Sequence, residues 1–208
     1  MIRALIYDLD NTVYPVKSIS DELFADLFKL IDDDDTISNT DKQLAKEEVT
    51  RRPFQKIADQ FGFSDELVQQ AKTLISGLTY HKPISAFDDY RYVKSLTIDK
   101  FLVTTGFIRM QTSKVKWLDI QKDFRQIYIV DPETTSKTKK DIFTEILEKY
   151  NYSKEEVLIV GDDPESEISE GKLIGLKTVL YDPGRKYKTT EADYQITNHQ
   201  EIKQLLLM

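Results

Sequence analysis

The segment Asp8–Leu9–Asp10–Asn11–Thr12, directly after the apolar run Ala4–Leu5–Ile6–Tyr7, places two carboxylates where a strand would end. Side chains two residues apart can face one pocket as the backbone leaves a sheet. Crowded together they repel, and a hard divalent cation bound by oxygens, such as Mg²⁺, relieves the repulsion. The alternative is a plain turn, because Asp, Asn and Thr all favour turns. Further candidates stand near other apolar runs. Thr104 follows Phe101–Leu102–Val103, and its hydroxyl with the N–H groups of Thr105 and Gly106 can hold phosphate oxygens. Lys137 stands ahead of a helical pattern beginning at Asp141 and can neutralise a carboxylate nucleophile or a phosphate, with Lys139 and Lys140 adjacent. Gly161–Asp162–Asp163 follows Val157–Val160, so Asp162 offers a third carboxylate to a metal while Asp163 suits a helix cap.

These residues need a scaffold that brings strand ends together. Ala4–Tyr7, Phe101–Val103, Ile127–Val130, Val157–Val160 and Thr178–Leu180 are continuous apolar runs, as expected of strands buried on both faces. Helical patterns alternate with them. Ile142, Phe143, Ile146, Leu147 and Tyr150 share one face of Asp141–Tyr150. Pro164–Leu173 has Pro164 at a first helical position and Gly175 past its end. The alternation predicts a doubly wound α/β fold with a parallel sheet, whose ligands bind beyond the carboxyl ends of the strands. The stretch 14–85 is different: it lacks β-rich runs and reads as helices over Leu23–Leu30, Leu44–Asp59 and Asp65–Ser76. It is expected to be a helical insertion, leaving 1–13 and 86–208 as the core. The acidic run Asp32–Asp35 reads as a solvated loop.

Composition narrows the function. Of 208 residues, 40% are hydrophobic and 31% charged, ordinary for a globular chain. A net charge of −7 argues against nucleic acid as partner, whereas a metal and local cations can still admit a small phosphorylated metabolite. The absence of cysteine excludes disulfides, thiolate metal sites and a cysteine nucleophile. No run reaches the roughly 20 apolar residues of a membrane span, and Met1–Ile2–Arg3 does not open a signal peptide, so the expected location is the cytoplasm.

The order and spacing of the four clusters resemble the haloacid dehalogenase superfamily in its phosphatase branch. The resemblance implies Asp8 as nucleophile, Asp10 as general acid/base, Thr104 as phosphate ligand and Asp162 as metal ligand. It implies Mg²⁺ held by Asp8, the Asp10 carbonyl and Asp162. Lys137 is placed by Lys137–Thr138–Lys139–Lys140–Asp141–Ile142–Phe143, which is similar to the family's Lys-Pro-x-Pro-x-x-Phe. Two departures stand out. Glu167 takes the place of the second acid of the last motif, and the prolines after the lysine are missing, which keeps Lys139 as the alternative. The implied reaction is phosphate monoester hydrolysis through an aspartyl-phosphate. An acid at position 10 argues against dehalogenation, which has no leaving oxygen to protonate.

The roughly 90 residues between the first two motifs match members with a helical cap over a small-molecule site. Asp10–Asn11–Thr12–Val13–Tyr14–Pro15 and Thr104–Thr105–Gly106–Phe107–Ile108–Arg109–Met110–Gln111 are similar to segments of nucleotidase-type members, so a nucleoside 5′-monophosphate is one candidate substrate. Lys17, Arg51, Arg52 and Arg109 are either solvated cations or ligands of an anionic group. Tyr14 suits the cap hinge or a base-stacking position. Trp117, His81 and His199 read as structural or surface residues. The alternatives to a phosphatase are a binding or regulatory protein with little turnover, and phosphoryl transfer to an acceptor other than water, as in a phosphomutase.

Overall fold

The computed structural model describes residues 1–52 and 54–207. Among these, six strands form one parallel sheet: β1 (Ala4–Tyr7), β2 (Asp99–Thr105), β3 (Gln126–Val130), β4 (Val157–Gly161), β5 (Lys177–Tyr181) and β6 (Tyr194–Ile196). Their spatial order is β3-β2-β1-β4-β5-β6. The order reverses direction at β1, so β1, β2 and β4 end side by side with a crevice beyond them.

The strands are buried on both faces, which explains their unbroken apolar runs. Along β1, Leu5 and Tyr7 pack into one cluster while Ala4 and Ile6 pack into the other. The Ala4/Ile6 face is covered by α8 (Lys139–Tyr150), through Ile142, Phe143, Ile146 and Leu147. The Leu5/Tyr7 face is covered by Met110, Val115 and Leu118 of α7 (Ile108–Leu118) and by Ile202 of α10 (Ile202–Leu205). A fully buried Leu, Ile or Phe contributes on the order of 1.5–3 kcal/mol, so these two faces fix the sheet before any site residue is considered.

Between β1 and β2 lie α1 (Lys17–Leu23), α2 (Ala25–Asp32), α3 (Asn39–Val49), α4 (Phe54–Phe61), α5 (Asp65–Gly77) and the short α6 (Tyr90–Lys94). The expected continuous helix over Leu44–Asp59 is instead interrupted between α3 and α4. Pro53 falls in that gap and lies outside the described residues; a proline has no N–H to extend a helix from the preceding turn. The expected Leu23–Leu30 helix likewise divides at Phe24 into α1 and α2.

Pro164–Leu173 is not one regular helix. Asp163 caps it, accepting from the Glu165 N–H at 2.9 Å, as its residue type suggests. Backbone angles at Ser166 (φ −109°, ψ −108°) then break the helix, and regular geometry resumes in α9 (Ser169–Leu173). β6 was not foreseen: only three residues long, it is too short to show an alternating pattern.

Candidate active site

The ends of β1, β2 and β4 deliver the side chains singled out above. Asp8 follows β1, and its N–H donates to the Val160 carbonyl at 3.0 Å, locking this corner to β4. Asp8 is 7% exposed, Thr104 1% and Glu167 2%. Carboxylate oxygens of Asp8, Asp162 and Glu167 lie within 4.8 Å of one another.

The lysine in this cluster is Lys139, not Lys137. Lys139 Nζ donates to Asp8 Oδ1 and to Glu167 Oε2, both at 2.7 Å. The Lys137 side chain is 55% exposed and pairs with Glu145 at 2.8 Å, away from the acids. The cause is where α8 begins. Thr138 and Asp141 form a reciprocal cap, with the Thr138 N–H donating to Asp141 Oδ2 at 2.8 Å. That makes Lys139 the first helical residue, on the same stripe as Ile142, Phe143 and Ile146. A lysine at a helix N-terminus opposes the helix dipole, so the acids must hold it there.

Glu167 reaches this lysine through a gap left by a glycine. A Cβ on Gly161 would overlap the Glu167 side chain. With the strand end bare, Glu167 bridges: Oε1 accepts from the Asp163 N–H at 2.9 Å while Oε2 accepts from Lys139. The longer acid therefore still completes the network.

The electrostatics call for more positive charge. Three carboxylates face one ammonium, leaving two negative charges uncompensated. Burial, opposed by Lys139 and reinforced by the charges of Glu167 and Asp10, leaves Asp8 pushed up to about 7. Asp162 rises well above the usual carboxylate range through burial and the charges of Glu167, Asp8 and Asp163. Lys139 is lowered by burial, but Asp8 and Glu167 outweigh that and hold it protonated. A divalent cation matches the uncompensated charge, and an all-oxygen donor set suits Mg²⁺.

Asp10 lies outside the trio. Instead of sharing one cation with Asp8, its carboxylate takes its own: Lys114 Nζ donates to Oδ1 at 2.9 Å and to Oδ2 at 3.0 Å. Tyr14 Oη donates to Oδ1 at 2.6 Å and Gln111 Nε2 to Oδ2 at 2.9 Å. Burial would raise the Asp10 carboxyl, but Lys114 and these hydrogen bonds hold it below its ordinary value. Sequence reasoning missed Lys114 and gave Tyr14 and Gln111 no part in holding Asp10. The available signal was a polar pair on an apolar stripe, since Gln111 and Lys114 fall on the face of α7 that carries Met110, Val115 and Leu118.

Thr104 meets the same group. Gln111 Nε2 donates to Thr104 Oγ1 at 2.7 Å and to the Thr105 carbonyl at 3.2 Å. As an acceptor there, the Thr104 hydroxyl keeps its own proton to donate. Gly106 has φ +148°, and a Cβ on it would press on the Gln111 side chain. Asp131 closes β3, its Oδ2 accepting from the Ile108 N–H at 3.0 Å and so fixing the start of α7.

Beside Asp163 opens a cleft of about 690 Å³ between the helical insertion and the core, lined by Arg51, Arg52, Glu48, Asp163 and Tyr187 among others. Arg51 donates to Tyr187 Oη at 3.0 Å across it, and Arg52 donates to Gln60 Oε1 at 2.5 Å. Lys17 and Arg109 are exposed. His81 is exposed beside Thr79, whereas His199 is buried, stacked on Tyr181 with ring centroids 4.0 Å apart. Trp117 packs half-buried against the core.

A doubly wound parallel sheet whose central strand ends set Asp8 and Asp162 beside a buried lysine from α8 defines an α/β protein with an acidic site at its topological switch point. Residues 2–175 match the haloacid dehalogenase-like hydrolases, and the chain belongs to that family. It is 23% identical to pyrimidine 5′-nucleotidase PynA of Streptococcus pneumoniae, over 96% of this chain and 93% of that protein. It is 34% identical to the glyceraldehyde 3-phosphate phosphatase of Pyrococcus furiosus over 50% of this chain and 45% of that one. The magnesium-bound crystal structure of the HAD-hydrolase YfnB from Bacillus subtilis superposes with a TM-score of 0.68, at 19% identity, over 100% of this chain and 99% of that one. Among the described residues no helix is long and apolar enough to cross a membrane.

Proposed function

We propose that the protein is a Mg²⁺-dependent phosphatase acting on small phosphate monoesters, with Asp8 as nucleophile. The observation that carries this reading is the buried contact of Lys139 with Asp8 and Glu167, in a cluster with Asp162 that is short of positive charge. Asp8 and Asp162 would hold the ion with the Asp10 main-chain carbonyl, and when bound the ion would supply charge against the phosphoryl oxygens. Thr104, with the N–H group of Thr105, would bind those oxygens from the other side; the Gly106 N–H, expected to join them, instead donates to the Val130 carbonyl at 3.0 Å and ties β2 to β3.

The ionised Asp8 oxygen attacks phosphorus in line. A phosphorus–oxygen bond forms to Asp8 as the bond to the ester oxygen breaks; Asp10, whose grip by Lys114, Tyr14 and Gln111 favours the ionised form, must first take up a proton, which it then passes to the departing oxygen. Asp10 then takes a proton from water, whose oxygen attacks the aspartyl-phosphate and releases inorganic phosphate. Lys139 keeps Asp8 oriented and offsets charge on the transferring group. Glu167, itself fixed by the Asp163 N–H, holds Lys139 in turn. The insertion 14–85 acts as a cap over 1–13 and 86–208, excluding water. A nucleoside 5′-monophosphate is supported by the named activity of the streptococcal relative, and a triose phosphate by that of the archaeal one.

The test is phosphate release from 4-nitrophenyl phosphate and from a panel of phosphorylated metabolites, with Mg²⁺ and with chelator. Activity that needs Mg²⁺ and vanishes in Asp8→Asn is expected. No release from any ester by the folded protein would overturn the proposal.

A further inference from the structure

The reaction scheme above uses Asp10 but leaves unexplained the side chains that grip it. Lys114 is a buried cation, 2% exposed, on the inward face of an amphipathic helix. Its ammonium makes hydrogen bonds only to Asp10 among the described contacts. Burying an unpaired ammonium costs several kcal/mol, so a lysine in this place is tolerated because Asp10 is opposite it. Tyr14 and Gln111, both 0% exposed, complete the grip.

The geometry is specific. A carboxylate offers about four lone-pair sites. Here Oδ1 receives Tyr14 and Lys114, and Oδ2 receives Gln111 and Lys114. The donors differ in how they can yield. A tyrosine hydroxyl turns from donor to acceptor by rotating one hydrogen, without moving a heavy atom. Lys114 has no acceptor capacity and, among the described residues, no second partner. Gln111 Nε2 stands 2.9 Å from Asp10 Oδ2 and 2.7 Å from Thr104 Oγ1, so the gripped carboxylate sits one amide nitrogen away from the phosphate-binding hydroxyl.

We propose that Lys114 is the positioning residue that anchors the Asp10 carboxyl beside Thr104 for its proton transfers, with Tyr14 as the yielding contact that frees one lone pair for the proton. The proposal rests on the phosphatase reading. It gives the helix after the second motif a task beyond covering the sheet, and it assigns to Lys114 a role in how well poor leaving groups are expelled.

The experiment compares kcat/KM for two esters in the unaltered protein, Lys114→Met and Lys114→Arg. For an enzyme that turns over through a phosphoenzyme, kcat/KM reports only steps up to departure of the alcohol. Departure of 4-nitrophenolate needs little protonation, whereas a primary alkoxide needs the acid. Acid catalysis contributes about 10²–10⁴-fold, so Lys114→Met is expected to lower kcat/KM for the alkyl ester by about 30-fold or more. For 4-nitrophenyl phosphate the expected fall is several times smaller, and Lys114→Arg recovers most of the alkyl activity. Should Lys114→Met fold poorly, the pair is removed together. Asp10→Asn/Lys114→Met leaves no buried orphan charge, and it is expected to hydrolyse the alkyl ester no more slowly than Asp10→Asn alone. An equal loss on both esters, or a further loss on top of Asp10→Asn, overturns the positioning role and leaves the phosphatase reading intact. Failure of the unaltered protein to hydrolyse either ester overturns both.

Discussion

Replacing Lys139 by methionine should destabilise the metal-free protein far more than the same change at Lys137. The Lys139, Asp8 and Glu167 side chains are 5%, 8% and 3% exposed, and the ammonium sits 2.7 Å from each carboxylate. Removing one partner of a buried ion pair costs about 3–5 kcal/mol, because the opposite charge is left without compensation. Here two carboxylates lose it at once, beside Asp162. The Lys137–Glu145 pair is 55% and 39% exposed, and such pairs contribute about 0–1 kcal/mol. Against a total stability of about 5–15 kcal/mol the first change is severe. At about 2–4 °C per kcal/mol for a chain of this size, Tm should fall by roughly 6–20 °C for Lys139→Met. Urea unfolding and thermal melts at pH 7.5 in chelator measure it. The Lys139→Met deficit should also shrink at pH 5, where the orphaned carboxylates take up protons, and saturating Mg²⁺ should recover part of it. Equal stability of the two variants within about 1 kcal/mol, or a larger cost at Lys137, would refute the reasoning.

Metal-free stability should fall as pH rises from about 4 to about 7. Folded Asp8 titrates near 7 and an unfolded aspartate near 3.9, so across that window the folded state binds more protons and stability drops with pH. Mg²⁺ should flatten the curve, and a metal-free Tm that climbs through the window contradicts this. Gly161→Ala should cost about 1–3 kcal/mol by overpacking, because the new methyl meets the Glu167 side chain. Made in a Glu167→Ala background, Gly161→Ala should add little further cost, because the side chain it would meet is gone; denaturant midpoints of the single and double variants check it.

Strands β1 to β5 were legible because burial on both faces leaves unbroken apolar runs, and β1 begins and ends where its run does. Asp8, Thr104 and Asp162 were legible as polar residues at the ends of such runs. The choice between Lys137 and Lys139 was decided by the Thr138–Asp141 cap, which starts the helix two residues after Lys137. Counting back from Ile142, Phe143 and Ile146 along the buried stripe reaches Lys139, and that periodicity was readable. Lys114 was hidden for the opposite reason. A lysine on an exposed face and one on a buried face look alike until the stripe of α7 is phased by Met110, Val115 and Leu118. The kink at Ser166 has no local sequence cause that we can name.

The covalent role of Asp8 is tested most directly by trapping it. Asp10→Asn protein is mixed with Mg²⁺ and a hydrolysable phosphate ester, quenched in acid, and digested for mass spectrometry. An acid-stable, hydroxylamine-labile phosphoryl group on the peptide carrying Asp8, absent when chelator replaces Mg²⁺, is the expected result. Ester hydrolysis that proceeds with Asp8 never phosphorylated, and that persists in Asp8→Asn, would contradict it.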